Sequence, residues 1–411
     1  MLNNSKKYPW LVVALLWFVA LLNYMDRQML STMRPAMMTD IAELVSATNF
    51  GRLMAVFLWI YALTSPVSGL IADRMNRKWL ITGSLFIWSS VTMMMGYAEN
   101  FGQLYILRAA MGVSEAFYIP AGLSLIADYH QGKTRSIAIG LHITGIYTGQ
   151  AIGGFGALIA SNFSWQTTFH TFGMIGVIYC IVLALFLKEK KTWHPEKQSF
   201  KTGLSGIGKV MIVLFGNISF WVILFYFSAF NLPGWATKNW LPTLFSEGLH
   251  IDMTQAGPIA TITLSMASLA GVLAGGFLSD YWVQKNIRGR IYTCVTGLFL
   301  IIPALLAIAL GHSLPMTIAG AICFGLGFGM CDANNMPILC QFVSSRYRAT
   351  GFGLMNLAGI SAGAVITDWL GKSADAGHLE RDFALMSLVV VVMIVLYLVA
   401  LRPQVIDKKD E

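Results

Sequence analysis

Charge is what this sequence has least of. Only 12% of its 411 residues are Asp, Glu, Lys or Arg, against a hydrophobic share of 56% and a mean hydropathy of +0.64. A soluble globular domain carries about twice that charged fraction, so the composition excludes one. Cysteine is scarce too. Cys180, Cys294, Cys323, Cys331 and Cys340 are odd in number, lie in or beside apolar runs and form no CxxC pair, which argues against a disulfide framework or a zinc site. Walker A and HExxH sequences are absent, and with them any support for ATP-driven work or zinc hydrolysis. Gly359-Ile-Ser361-Ala-Gly363 fits G-x-S-x-G, but it sits in a glycine-rich apolar run and not at a strand-to-helix elbow. The formal net charge of +8 falls in short clusters between apolar runs, without a basic face interleaved with aromatics, so nucleic acid is excluded as a partner.

What is abundant is apolar sequence of bilayer length. Twelve spans can be marked near the roughly 20 residues a membrane helix needs: 8–33, 50–71, 79–97, 103–128, 136–160, 166–187, 211–231, 254–279, 290–311, 315–341, 349–371 and 382–401. Lys6 and Lys7 before the first run resemble the start of a signal peptide. The run is too long, carries charge and lacks a small-residue cleavage site, so it is expected to stay as the first span. The one long hydrophilic stretch, Lys188 to Lys209, divides the spans into two sets of six. The expected organisation is a bundle over 1–188, a cytoplasmic linker over 189–209, a second bundle over 210–402 and a tail over 403–411. With the N-terminus inside, 21 of the 28 Lys and Arg fall on cytoplasmic segments. That bias places both termini in the cytoplasm.

The halves repeat. Gly69-Leu-Ile-Ala-Asp73-Arg74-Met-Asn-Arg77-Lys78 joins the second and third spans, and Gly276-Phe-Leu-Ser-Asp280 joins the eighth and ninth, followed by Lys285, Arg288 and Arg290. A G-xxx-D sequence in the same loop of both halves indicates internal duplication. Parallel six-span halves with a site between them describe one transporter architecture.

Asn23-Tyr24-Met25-Asp26-Arg27 breaks the apolar character of the first span. A charge at that depth costs about 3 kcal/mol or more unless it is paired or faces a wet cavity. At about 1.5 Å per residue, Asp26 reaches the level of Arg108 on the fourth span, with Glu115 two turns deeper on the same face. Arg108 is therefore expected to pair with Asp26 while Glu115 faces a cavity, or the reverse. Two acids and two bases at matched depths are excessive for structural glue alone. A desolvated carboxylate can hold a proton, and an arginine offers a planar fork that matches a carboxylate. Tyr24, Tyr61 and Gln150 lie at similar levels. Tyr61 reads equally as a packed aromatic. Gln150 lies in Gly145-xxx-Gly149-xxx-Gly153-Gly154, where small residues let helices approach. His142, lower on that span, reads as a satisfied structural group.

In the second half, Asn231-Leu-Pro233-Gly234-Trp235 predicts an unwound or kinked seventh span. Trp235 or Trp240 either stacks on a ring-shaped substrate or anchors at the interface. Asp332, Asn334 and Asn335 on the tenth span are level with Asn356 on the eleventh. The asparagines read as ligand contacts or an inner gate. The roles of Asp332 and Lys238 stay open.

Gly69 to Lys78 matches the loop signature of the major facilitator superfamily, and the twelve-span layout extends the resemblance over nearly the whole chain. The sequence Asn23 to Arg27, with Arg108-xxx-Gly112-xx-Glu115 and Pro120, resembles the anion:cation symporters of that superfamily, which includes sialin-like carriers. The spinster group of lipid carriers shares much of the pattern. The resemblance implies an all-α membrane protein of the major facilitator fold, twelve transmembrane helices in two pseudo-symmetric six-helix bundles. It implies no enzyme and no cofactor beyond a proton gradient. The implied partners are a small anionic substrate such as a sugar acid, protons and the lipid bilayer. A monomer in a bacterial inner (plasma) membrane is expected. Asp26, Glu115 and Arg108 are then expected to couple protons. Tyr24, Arg27, Tyr61 and Gln150, with Asn334, Asn335, Asn356 and Trp235, are expected to contact substrate. Gly69, Asp73, Arg74, Arg77, Lys78 and Asp280 are expected to form a conformational gate.

Overall fold

The computed structural model describes residues 7–72, 75–130, 134–190, 211–343 and 348–401. Regular structure among them is helical throughout. The first unit holds α1 (Tyr8–Met37), α2 (Ala47–Ala72), α3 (Arg77–Met95), α4 (Phe101–Glu115), α5 (Tyr118–Tyr129), α6 (Arg135–Gly153), α7 (Gly156–Asn162) and α8 (Trp165–Phe186). The remaining helices are α9 (Ile218–Gly248), α10 (Met253–Val283), α11 (Gly289–Leu310), α12 (Leu314–Asp332), α13 (Asn335–Leu339), α14 (Arg348–Asp375) and α15 (Leu379–Ala400).

Ten helical stretches among the described residues are long and apolar enough to cross a membrane, eleven if α6 and α7, bent by 43°, are one span. The stretch Phe101–Tyr129 counts as one of them, although α4 stops at Glu115 and α5 starts at Tyr118, just before Pro120. The expected third span, α3, is not among them. It is 19 residues long, so any bilayer-length stretch of it includes Lys78 together with its Ser and Thr residues. Apolar side chains turned outward are plentiful. On α15, Leu388, Val391, Val392, Val395 and Val399 are all exposed, a stripe at helical spacing suited to lipid.

The chain divides into two compact units, Met1–Glu196 with Ile251–Ile262, and Lys197–His250 with Thr263–Glu411. The first turns of α10 thus belong to the first unit, where the Thr261 hydroxyl donates to the Ala151 carbonyl at 3.1 Å. In the first unit α1 packs on α6, α3 on α8 and α2 on α4. In the second, α9 packs on α14 and α11 on α15. First span on fifth and third on sixth therefore recurs as seventh on eleventh and ninth on twelfth.

Between α1 and α6 the two backbones approach closely. A Cβ on Gly149 would lie 2.2 Å from the Leu21 carbonyl oxygen, and one on Gly145 2.6 Å from that of Trp17. Only glycine lets the two backbones come this close. His142, fully buried on α6, is bonded through one ring nitrogen, while its Nδ1 is buried without a hydrogen bond. Its Nε2–H donates to the Tyr118 hydroxyl oxygen at 2.8 Å, and that hydroxyl donates to the Leu16 carbonyl at 2.7 Å, the tautomer following from this network.

Of the unwound or kinked seventh span expected, the unwinding does not occur. The helix α9 runs unbroken through Pro233 and Pro242 for 31 residues. Side chains take up carbonyls around the first proline. The Asn231 amide donates to the Phe227 carbonyl and the Thr237 hydroxyl to that of Pro233, at 2.8 and 2.7 Å. Gly234 is needed for space, since a Cβ there would meet the Phe328 ring at 2.5 Å.

Candidate functional site

Four charged side chains gather inside the first unit. Asp26 is 4% exposed, Arg108 3% and Glu115 not at all. Arg27 Nε donates to Glu115 Oε2 at 2.6 Å. This differs from the expected pairing of Arg108 with either acid. Depth was counted from the first residue of the span, but α1 has 30 residues and is about 45 Å long. That exceeds a core of about 30 Å, so the first residue of α1 does not fix a membrane level, and Arg27 meets Glu115 two turns beyond Arg108.

The guanidinium of Arg27 is walled by three rings, with centroids at 4.7 Å for Tyr24, 4.8 Å for Phe57 and 4.8 Å for Tyr61. Arg108 stands over the same Phe57 ring at 4.6 Å. Both cations thus share one aromatic face-bearing residue. Each such contact contributes about 0.5–2 kcal/mol, more where water is excluded. The sequence pointed to Tyr24, Arg27 and Tyr61, and the structure brings these three together. Phe57 was missed. Its signal was its place one helical turn before Tyr61, on the same face of α2.

Asp26 Oδ2 accepts from the Thr92 hydroxyl of α3 at 3.3 Å. Thr92 also went unrecognised, because nothing in α3 marks one of its many Ser and Thr residues. Arg108 Nη1 approaches Met111 Sδ at 3.2 Å, a weak acceptor. Among the described residues, Asp26 Oδ1, Glu115 Oε1, Arg27 Nη2 and Arg108 Nε are buried without a hydrogen bond. Unused capacity on both acids and both bases is what a site for an anion and a proton needs. Gln150 on α6 is 8% exposed and lies between Gly149, which abuts Leu21, and Gly153, which abuts Met25 of α1.

Elsewhere the expected contacts fare unevenly. Asn334 is fully buried and donates to the carbonyls of Met330 at 2.9 Å and Gly275 at 3.4 Å. Its amide nitrogen thus serves the break after α12, while its Oδ1 is buried without a hydrogen bond. Trp240 is likewise buried, with its indole N–H on the Thr367 carbonyl at 3.2 Å. It is therefore neither a stacking platform nor an interfacial anchor. Asn335 donates to Asp332 at 3.3 Å. Trp235 and Asn356 are partly exposed.

Of the expected gate, Asp73 and Arg74 lie outside the described residues. Arg77 pairs with Asp128 at the end of α5, and Lys78 Nζ donates to the Ala184 carbonyl of α8 at 2.7 Å. These two bind elements of their own bundle. Gly69 has open space where a Cβ would stand, and Asp280 pairs with Arg290 at 3.6 Å while largely exposed.

A chain made almost wholly of bilayer-length helices, with charges of both signs buried in one bundle, is a multi-pass membrane protein with a polar interior site. The model of the Major Facilitator Superfamily matches residues 16–368, and the chain belongs to that superfamily. It is accordingly a transporter and not an enzyme. It is 26% identical over 312 residues, 72% of this chain and 68% of the other, to the "Probable L-galactonate transporter" of Escherichia coli K12. It is also 26% identical over 290 residues, 69% and 67% of the two chains, to the hexuronate transporter of Bacillus subtilis. Among solved structures, a bacterial homologue of the human lysosomal transporter Spinster superposes with a TM-score of 0.79 at 20% identity, over 97% of this chain and 98% of that one. That likeness speaks for the fold.

Proposed function

We propose that this transporter carries a carboxylated sugar, of the aldonate or hexuronate type, inward together with protons by alternating access. The observation that carries the reading is the buried Arg27–Glu115 pair inside its aromatic wall. A substrate carboxylate can displace Glu115 from Arg27, because both present the same planar oxygens to the guanidinium. The displaced Glu115 then stands ionised in an apolar bundle next to the incoming anion, which favours its taking a proton. Asp26, hydrogen-bonded to Thr92, is the second proton acceptor. Tyr24, Tyr61 and Gln150 shape the sugar side, and Arg108 holds positive charge beside the acids.

The named activities of the two relatives, on galactonate and hexuronates, support a sugar acid. The lysine and arginine bias supports cytoplasmic termini in a bacterial plasma membrane. The protein acts as a monomer of two bundles, joined by the hydrophilic stretch over 189–209.

The test is counterflow in proteoliposomes with galactonate, galacturonate, neutral sugars and lysolipids. Exchange of the acids alone supports the reading. Transport of lysolipid without sugar acid replaces it with a lipid carrier, and accumulation without a proton gradient removes the coupling.

A further inference from the structure

The duplication reaches deeper than the loops. Gly112-Val-Ser-Glu115-Ala-Phe-Tyr-Ile-Pro120 on the fourth span recurs as Gly329-Met-Cys-Asp332-Ala-Asn-Asn-Met-Pro337 on the tenth. Glycine, acid, alanine and proline keep their spacing. The three-dimensional features recur as well. The helix α4 ends at Glu115 and α12 at Asp332. A Cβ on Gly112 would meet the Phe57 carbonyl oxygen at 2.7 Å, and one on Gly329 that of Ser268 at 2.2 Å, so each glycine admits the second span of its own half.

The cation of the pair recurs too. Tyr24-Met-Asp-Arg27 on the first span corresponds to Trp235-Ala-Thr-Lys238 on the seventh. Arg27 stands over the ring three residues before it, and Lys238 over Trp235 in the same way, at 5.2 Å from the centroid. Phe328, one turn before Asp332, offers Lys238 a second ring at 5.0 Å. Lys238 and Asp332 lie within electrostatic reach of each other. Unlike Glu115, Asp332 is an exposed residue.

We propose that Lys238 and Asp332 form a second anion-and-proton site, the repeat-related counterpart of Arg27 and Glu115. Lys238 binds an anionic group of the substrate, and Asp332 takes up a proton as it loses its cation. The inference rests on the sugar-acid reading above and extends it to the second bundle. The groups around Asp332 are few. Its own helix gives Cys331, which in turn faces Cys294 of α11, and the following turn gives the neutral amide of Asn335. The helix α10 has no titratable side chain between Met253 and Gly276, and α14 none between Thr350 and Ile366. Lys238 is the cation that faces it.

Two measurements on the purified full chain test this, with galactonate and galacturonate as probes. Equilibrium binding across pH is the first. Lys238→Gln is expected to weaken binding about tenfold or more, the loss of one charge-assisted hydrogen bond. Asp332→Asn is expected to flatten the weakening that wild type shows as pH rises, because no carboxylate then competes for Lys238. It also lowers the protons taken up per anion bound, read with an indicator dye in weak buffer. The second measurement keeps the charge in place. The infrared carbonyl band of a protonated carboxyl group, induced by galactonate, should shift in Asp332→Glu, which covers the case in which Asp332→Asn does not fold. Unchanged affinity in Lys238→Gln, or an induced band indifferent to Asp332→Glu, overturns the second site. A wild type that binds neither probe overturns the sugar-acid reading itself, so the two failures are distinct.

Discussion

Arg27 and Glu115, 88 residues apart in the chain, are joined by a hydrogen bond of 2.6 Å between Nε and Oε2. Glu115 is fully buried, so neither group can leave the other without a replacement of like charge. Removing one partner of such a pair typically costs about 3–5 kcal/mol, because the other charge is stranded. Stability and ligand binding therefore meet in the same contact. Arg27→Lys separates them. The ammonium keeps the charge but loses the fork and the stacked plane that the three rings hold. We expect a folded protein by size-exclusion chromatography with galactonate uptake reduced about tenfold or more. Uptake at the wild-type rate removes Arg27 from the substrate path.

Phe57→Leu tests the ring shared by two arginines. Leucine fills most of the volume but has no π-face, so both cation contacts go and the guanidinium groups face each other directly. The expected loss is about 1–3 kcal/mol of stability, read as a lower melting temperature in detergent. A melting temperature equal to wild type assigns the two contacts no energetic weight.

How much of this was legible in the sequence depends on which coordinate a pattern encodes. Length and hydropathy marked most of the spans, α3 excepted, and an acid beside a base in an apolar run pointed to Asp26 and Arg27, which lie in the buried charged cluster. Helical rise gave depth only approximately, and it gave no azimuth. The partners on other helices were therefore misassigned, with Arg108 expected where Arg27 stands. Pro233 with Gly234 reads as an unwound or kinked helix, yet Asn231 and Thr237 occupy neighbouring carbonyls and α9 continues without unwinding. Trp240 looked available because burial within a bundle is a property of packing, not of composition. The likeness of Asp332 to Glu115 lies in where its helix ends, which composition does not encode.

Glycine packing yields a paired prediction. Gly149→Ala places a Cβ 2.2 Å from the Leu21 carbonyl oxygen, a backbone atom of a long helix. We expect a cost of about 1–3 kcal/mol from the forced separation. Gly83 on α3 has nothing within 4 Å of its Cβ position, so Gly83→Ala is expected to raise stability by about 0.5–1 kcal/mol through helix propensity. Thermal melts of the two variants should move in opposite directions. A common direction would mean that backbone flexibility, not the α1–α6 contact, sets the outcome.

Asp40 gives a pH dependence outside the membrane spans. Its Oδ2 accepts from Trp165 Nε1 and from Gln166 Nε2, each at 2.7 Å. These bonds, led by the one from Trp165, hold the carboxyl below its ordinary range. The folded pKa is depressed, so the contribution is present above the unfolded pKa and is lost as pH falls through the folded one. Asp40→Asn is uncharged at every pH. The melting difference between wild type and Asp40→Asn should be present at neutral pH and shrink on acidification below the ordinary carboxylate range. A difference that grows there contradicts the assignment.

Proton coupling is decided at Glu115. Glu115→Gln keeps the shape and can still accept from Arg27 Nε, but it is neutral like a protonated acid. In the proposed cycle the anion displaces Glu115 from Arg27, and Glu115 must gain a proton before the apolar bundle can rearrange at low cost. With glutamine that step no longer waits for a proton. Counterflow exchange of galactonate should persist, and accumulation driven by an inward proton gradient should fail. Asp26 lies in the same cluster and can still carry a proton, so partial coupling is expected to remain in the single variant. Asp26→Asn/Glu115→Gln removes both carboxylates and should abolish accumulation. Both activities are measured on the same vesicles, so insertion and folding cancel from the comparison. Accumulation by Glu115→Gln equal to wild type assigns the coupling proton elsewhere. Loss of exchange and accumulation together, in a protein that still runs as a single species, makes Glu115 a binding or structural partner of Arg27 instead.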